Sequence, residues 1–227
     1  MVKETGWNQF KGKETPSTVE IDELFIKAVP ENSDVLDFGC AWGRTAFKLQ
    51  KLDYNVTGFD LNGNVIETAM ETARMTNENC SSKVKFQTAD ATKLPYANES
   101  FDACILQAFL TTIIPPGNRI KVISEANRVL KKNGTLYLAD FGQNWENPLY
   151  SERYNGDYRV TGELGTFLVR EDSEIPGKEL FRAHHYTKEE LLELVSEFLI
   201  EKFHETIFTT FHGNRTKGYI VIARKES

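Results

Sequence analysis

Apolar positions along the chain switch repeatedly between two spacings, and the switches divide it into alternating strands and helices. Ile21, Leu24, Phe25 and Ala28 fall at helical spacing behind Ser17-Thr18-Val19-Glu20, which has the form of a capping box; Pro30 closes that helix. Asp34-Val35-Leu36-Asp37-Phe38-Gly39 reads as a short buried strand entering a glycine turn, and Arg44 to Leu52 as the helix that follows. Asn55 to Asp60 is a second strand, and Val65 to Met75 a helix capped by Asn62 or Asn64. Lys83 to Gln87 makes a third strand. Phe101 to Phe109 makes a fourth, apolar almost throughout, as a strand covered on both faces should be. Arg119 to Leu130 is an amphipathic helix with Ile120, Ile123, Ala126 and Leu130 on one face. Lys132-Asn133-Gly134 is a turn, and Thr135 to Ala139 a fifth strand.

Strands alternating with helices predict a doubly wound α/β fold, a parallel sheet with helices on both faces. The pattern then breaks. From Gly142 to about Phe181 it is irregular, with aromatics, glycines and charges intermixed; a segment this long inside a compact domain is usually functional or disordered. Thr187-Lys188-Glu189-Glu190 is a second capping box, opening a helix to about Ser196. Phe198 to Thr210 and Lys217 to Lys225 are strand-like and joined by Gly213-Asn214, so they should pair antiparallel. The whole, residues 1–227, is expected to be one domain, with 142–186 an insertion capping a substrate pocket.

Composition narrows the function classes. The 227 residues are 40% hydrophobic, enough for one sizeable core, and the net charge of -6 leaves no basic footprint for nucleic acid or an anionic membrane. No run approaches the ~20 apolar residues of a membrane span, and the opening residues lack the apolar stretch of a signal peptide. Three cysteines without CxxC spacing, Cys40, Cys80 and Cys104, fit free thiols, and the expected location is cytoplasmic.

The candidate chemistry lies where the first strand turns into its helix, Val35-Leu36-Asp37-Phe38-Gly39-Cys40-Ala41-Trp42-Gly43-Arg44. Such a turn lets a ligand approach bare backbone beside a helix N-terminus. Asp60 ends the second strand, where a carboxylate can accept hydrogen bonds from a ribose. The plainer reading is an ordinary turn and a helix cap; the two features together point to a bound nucleoside. A dinucleotide turn needs a third glycine for close helix packing, and Arg44 stands there instead. Asp37 would add negative charge beside a pyrophosphate. S-adenosyl-L-methionine (SAM) has no phosphate and carries a sulfonium and an amino group, so an acidic turn suits it better.

On these residues the chain resembles the class I SAM-dependent methyltransferases, and among them the broad group that includes the ubiquinone/menaquinone C-methyltransferases. The resemblance covers about Val19 to Phe141. It extends to Ala89-Asp90-Ala91, Leu94-Pro95-Tyr96, Ser100-Phe101-Asp102-Ala103 and Arg128-Val129-Leu130-Lys131-Lys132-Asn133-Gly134, in the family's order. It implies a Rossmann-like sheet of five parallel strands and a C-terminal antiparallel hairpin, in strand order 3-2-1-4-5-7-6. It also implies SAM held by Asp37, Phe38, Gly39, Cys40, Gly43, Asp60, Leu61, Asp90, Ala91 and Gln107, with Asp90 reading the adenine amine. The reaction would be methyl transfer to a small-molecule acceptor, leaving S-adenosyl-L-homocysteine.

Three positions depart from the family pattern. Ala41 replaces the middle glycine of D-x-G-x-G-x-G, which alanine tolerates unless the position needs positive φ. Asn133 replaces a turn glycine. Leu110-Thr111-Thr112 stands where many relatives carry histidine, so no base is assigned there. His184 and His185 are the candidate catalytic residues, able to deprotonate an acceptor or hold its carboxylate; the plainer reading makes them polar residues at an exposed strand end. No metal is expected. A non-catalytic SAM-binding or partner-binding protein on the same fold and a nicotinamide-dependent oxidoreductase are the alternative functions.

Overall fold

A computed structural model of the chain describes residues 6–9, 20–76, 82–170, 179–209 and 215–226. Seven strands form one sheet in the order β3-β2-β1-β4-β5-β9-β8. They are β1 (Asp34–Phe38), β2 (Asn55–Asp60), β3 (Val84–Thr88), β4 (Phe101–Gln107), β5 (Leu130–Phe141), β8 (Phe198–Thr209) and β9 (Arg215–Lys225). The first five pair parallel, while β9 runs antiparallel to both β5 and β8. Setting aside a separate two-stranded hairpin, this is the strand order that the resemblance implies.

Side-chain alternation along the strands splits the core into two layers. Leu36, Cys104, Leu106, Leu136 and Leu138 face α4 (Pro116–Val129) and α6 (Lys188–Leu194). Val35, Ala103, Ile105, Tyr137 and Ala139 face α1 (Glu23–Ala28), α2 (Arg44–Gln50) and α3 (Gly63–Thr76). Each central strand is thereby covered on both sides, which explains its nearly continuous apolar run.

Local signals set most element ends. Asn62 caps α3, its side chain accepting from the Asn64 amide at 3.1 Å. Thr187 and Glu190 form the reciprocal capping box of α6. The first helix starts later than its pattern predicts: Asp22, not the serine–threonine pair, is its cap, accepting from the Leu24 amide at 2.9 Å. Residues 17–19 of the expected box lie outside the described residues, as do Cys80 and the Gly213-Asn214 turn. Asn133 has φ 61, but its turn is absorbed into the start of β5, whose pairing with β4 shifts register between Phe101 and Ala103. On α4 the expected apolar face is rotated: Ile120 is 63% exposed, and Arg119 takes the buried position beside Val122, Ile123 and Ala126.

Within the stretch read as irregular, the described residues, 142–170 and 179–181, form regular elements. Asn147 caps α5 (Pro148–Thr161), accepting from the Leu149 amide, and Gly162 ends it at φ 71. A hairpin of β6 (Thr166–Arg170) and β7 (Glu179–His184) follows. Tyr150, Tyr154, Phe167 and Ala183 give this insertion a small core of its own. Asp157 and Arg170 pair across it at 2.7 Å. The insertion is fastened to the sheet where the Tyr186 amide donates to the Phe141 carbonyl at 2.9 Å and the Gln143 amide to the Tyr186 carbonyl at 2.8 Å. Among the described residues, no helix is long and apolar enough to cross a membrane.

Candidate active site

The carboxyl ends of β1, β2 and β4 converge on the turn between β1 and α2. Gly39, Ala41 and Gly43 all have positive φ, at 63°, 48° and 90°. A Cβ on Gly39 would lie 2.3 Å from the Phe109 ring, so that glycine is required by space as well as by φ. Ala41 therefore occupies the conformation that the family's glycine would hold freely, the circumstance in which alanine is strained. The turn is closed by the Gly43 amide donating to the Cys40 carbonyl at 2.8 Å and the Cys40 amide to the Phe59 carbonyl at 2.9 Å.

Asp60 fastens that turn. One carboxylate oxygen accepts from the Ala41 amide at 3.1 Å and the other from the Asn62 amide at 2.9 Å. Burial raises its pKa, and the amides of Asn62, Ala41 and Leu61 pull it back. Of the carboxylate's four acceptor positions at least one stays open for a further donor. Beyond β3, the Ala89 amide donates to the Asp60 carbonyl at 3.0 Å, which brings Asp90 and Ala91 to the same rim. Asp90 is exposed, with one oxygen accepting from the amide and hydroxyl of Thr92 at 2.8 and 2.7 Å; Ala91 is buried. Leu61 is exposed just past β2. Gln107 ends β4 and accepts from the Thr45 hydroxyl of α2 at 3.4 Å.

Asp37 is the electrostatic centre of the site. It is 2% exposed, and its Oδ2 has no hydrogen-bond partner. Burial pushes its pKa up to about 8; Arg44 opposes the shift, Asp60 adds to it, and the Ala46 amide opposes it again. A buried carboxyl with an open oxygen beside a second acid is a receptor for a cation, and an ammonium group would supply the missing donor. These residues fit SAM: an acidic acceptor for its amino group, a carboxylate for its ribose and a glycine turn for close approach. Cys40, buried beside both acids, has its thiol pushed well up by burial, which makes it inert.

The two histidines do not join this group. They are 0% and 3% exposed, so the exposed strand end is overturned: both are sealed into the insertion. Thr166 Oγ1 lies 2.7 Å from His184 Nδ1, and Tyr154 Oη lies 2.8 Å from His185 Nδ1. His185 stacks on Phe141, and burial lowers its pKa to about 3, with His184 and Arg153 adding to the shift. A base that weak is poorly matched to proton abstraction near neutral pH.

Two groups carry no sequence motif. Phe109 covers Gly39, and Asp140, fully buried at the carboxyl end of β5, accepts from the amides of Thr111 at 3.0 Å and Phe141 at 2.8 Å. Burial raises Asp140 to about 7 against the pull of those amides. A lone acid closing the otherwise apolar run Leu136-Tyr137-Leu138-Ala139 was the available signal.

Fold and site together define a doubly wound α/β protein whose glycine turn and two acids, Asp37 and Asp60, gather at the carboxyl ends of its parallel strands. Residues 36–138 match the sequence model of a methyltransferase domain. A crystal structure of a SAM-dependent methyltransferase from Methanosarcina mazei is 36% identical and superposes with a TM-score of 0.87, covering 92% of this chain and 99% of that one. A ubiquinone/menaquinone biosynthesis C-methyltransferase of Sinorhizobium fredii is 34% identical over 148 residues, 63% of this chain and 55% of the relative. The fold alone is shared with a [4+2]-cyclase, at 18% identity and a TM-score of 0.63, covering 90% of this chain and 79% of that one. The match spans 43%, 38% and 37% of three further curated relatives, well under half of each. The chain belongs to the SAM-dependent methyltransferases.

Proposed function

We propose that the protein transfers the methyl group of SAM to a small-molecule acceptor. The observation that carries this reading is the open Oδ2 of the buried Asp37, set among the positive-φ turn and Asp60. When bound, SAM supplies a methyl activated on a sulfonium, passed on by in-line displacement to leave S-adenosyl-L-homocysteine. Asp37 would accept the amino group, Asp60 the ribose hydroxyls, and Asp90 with Ala91 the adenine. Phe38, Gly39, Cys40 and Gly43 would offer the turn's surface, and Leu61 and Gln107 would border the cleft.

Catalysis would rest on alignment, since the leaving group is neutral; holding reactants in line is worth ~7–11 kcal/mol in favourable cases. The insertion 142–186 would cap the acceptor, because it leaves the carboxyl end of β5, where open α/β sheets bind ligands. A cytoplasmic location belongs to the same reading, supported by the free, buried thiols of Cys40 and Cys104.

The test is turnover of methyl-labelled SAM with a metabolite library. Label should pass to a small molecule in the full chain. With residues 145–180 replaced by a short Gly/Ser linker, transfer should vanish while SAM still binds. Binding without transfer to any acceptor in the full chain would leave a SAM-binding protein and remove the enzyme. Full-rate transfer by the shortened chain would remove the cap.

A further inference from the structure

A partly buried ion pair joins the segment after β4 to the insertion. Arg119, in the first turns of α4, is 4% exposed. Its Nε donates to the Ile113 carbonyl and its Nη2 to the Ile114 carbonyl, both at 2.7 Å. Its two Nη atoms also grip Glu163, at 2.6 and 2.9 Å, in the bidentate geometry that makes such pairs strong. Glu163 follows α5 and accepts from the Thr166 hydroxyl at 2.5 Å. Although burial raises its pKa, hydrogen bonds from His184, Arg119 and Thr166 hold it well below the usual range.

Further side chains hold the same segment. Tyr186 donates its hydroxyl to the Leu110 carbonyl at 2.8 Å and sets its ring 5.5 Å from the Arg119 guanidinium. Asp140 accepts from the Thr111 amide. At its other end the segment carries Phe109, whose ring packs on Gly39 and lies 5.9 Å from Phe38. Residues 109–114 thus have the glycine turn on one side and the insertion on the other.

We propose that Arg119 and Glu163 are positioning residues whose ion pair makes the 109–114 segment and the insertion respond as one body, so that occupancy of the glycine turn is felt at the acceptor side. The inference rests on the methyltransferase reading, in which methyl and nucleophile come from opposite sides of this segment. There, misplacement by 1 Å can lower the rate on the order of a hundredfold. Linkage also requires the reverse effect: ordering the insertion must tighten binding at the turn by the same factor.

Amide hydrogen exchange on the full chain, with S-adenosyl-L-homocysteine as probe, tests it. In the wild type, saturating probe should slow exchange in 39–44 and 109–114, and also in 163–170 and 179–186. Glu163→Gln keeps the shape and removes the charge. It should retain protection of 39–44 and 109–114 while probe-induced protection of the insertion falls at least fivefold. Arg119→Lys keeps a charge but has three donors on one atom against the four bonds that Arg119 makes, so it loses the bidentate grip and should behave alike; it stands in if Glu163→Gln does not fold. Protection of the insertion undiminished in the variant, or absent in the wild type, overturns the proposal. If the wild type binds no probe, the methyltransferase reading fails instead, and the ligand-free arm decides. Exchange in 109–114 and 163–170 must then rise together in the variant, and a rise confined to one of them overturns the coupling.

Discussion

Replacing Asp37 by asparagine should stabilise the ligand-free protein, and the gain should depend on pH. With its pKa pushed up to about 8, the native carboxyl keeps a proton at pH 7 that the unfolded chain releases near 3.8. Every pH unit between the unfolded value and the working pH adds ~1.4 kcal/mol, so at pH 7 the buried acid costs about 4 kcal/mol. Between those two pKa values the native state binds more protons than the unfolded one, so this group's contribution becomes more unfavourable as pH rises. Below 3.8 the difference disappears. Asparagine keeps an oxygen for the Ala46 amide and never ionises. Retaining even half of that gain would raise the melting temperature by roughly 4–8 °C at pH 7, given ~2–4 °C per kcal/mol in a domain of this size. Melts of both proteins by circular dichroism from about pH 4 to 8 would show the gap opening with pH. A variant no more stable than wild type near pH 7.5, or a gap that ignores pH, refutes the role given to Asp37. The same substitution should weaken SAM binding if, as proposed, Asp37 receives the amino group.

Asp60→Ala should weaken SAM binding at least ten- to a hundredfold, since a hydrogen bond to a charged group is worth ~1.5–3 kcal/mol and the carboxylate also anchors the Ala41 and Asn62 amides. Asp90→Ala should weaken it less, being exposed and already engaged with Thr92; calorimetric titration ranks the two. Ala41→Gly should be neutral or stabilising by up to ~1.5 kcal/mol in urea unfolding. At φ 48 the methyl group is strained by ~1–2 kcal/mol, while glycine's added chain freedom returns ~0.5–1.

The central parallel strands β1, β4 and β5 were legible because burial on both faces writes a nearly continuous run of apolar residues, while β2 and β3 showed as shorter runs between helices. Asn55–Asp60 emerged with its ends correct, and so did the Thr187–Glu190 capping box, both being local signals. The insertion was illegible for a physical reason. The inward residues of α5 are Tyr150, Tyr154 and Asp157, and the last is an acid satisfied by Arg170 and the Leu168 amide rather than by an apolar partner. Its boundaries were nonetheless marked, by Asn147-Pro148 and Gly162. Arg119 belongs to the same class of omission: only a partner distant in the chain makes an arginine a core residue. The burial of His184 and His185 likewise depends on Thr166 and Tyr154, which no spacing rule connects to them. Ala41 could be flagged as a departure, but its positive φ is a property of the folded turn.

What the glycine turn binds decides the function of the whole molecule. Isothermal titration of the ligand-free chain with SAM, with S-adenosyl-L-homocysteine and with NAD is the most direct measurement. SAM and S-adenosyl-L-homocysteine should each bind at one site. Near pH 7, S-adenosyl-L-homocysteine should release protons as its ammonium ionises Asp37, whose pKa burial raises, read from the dependence of the heat on buffer. NAD should give no comparable heat. Tight NAD binding with none for SAM would contradict this assignment of the site.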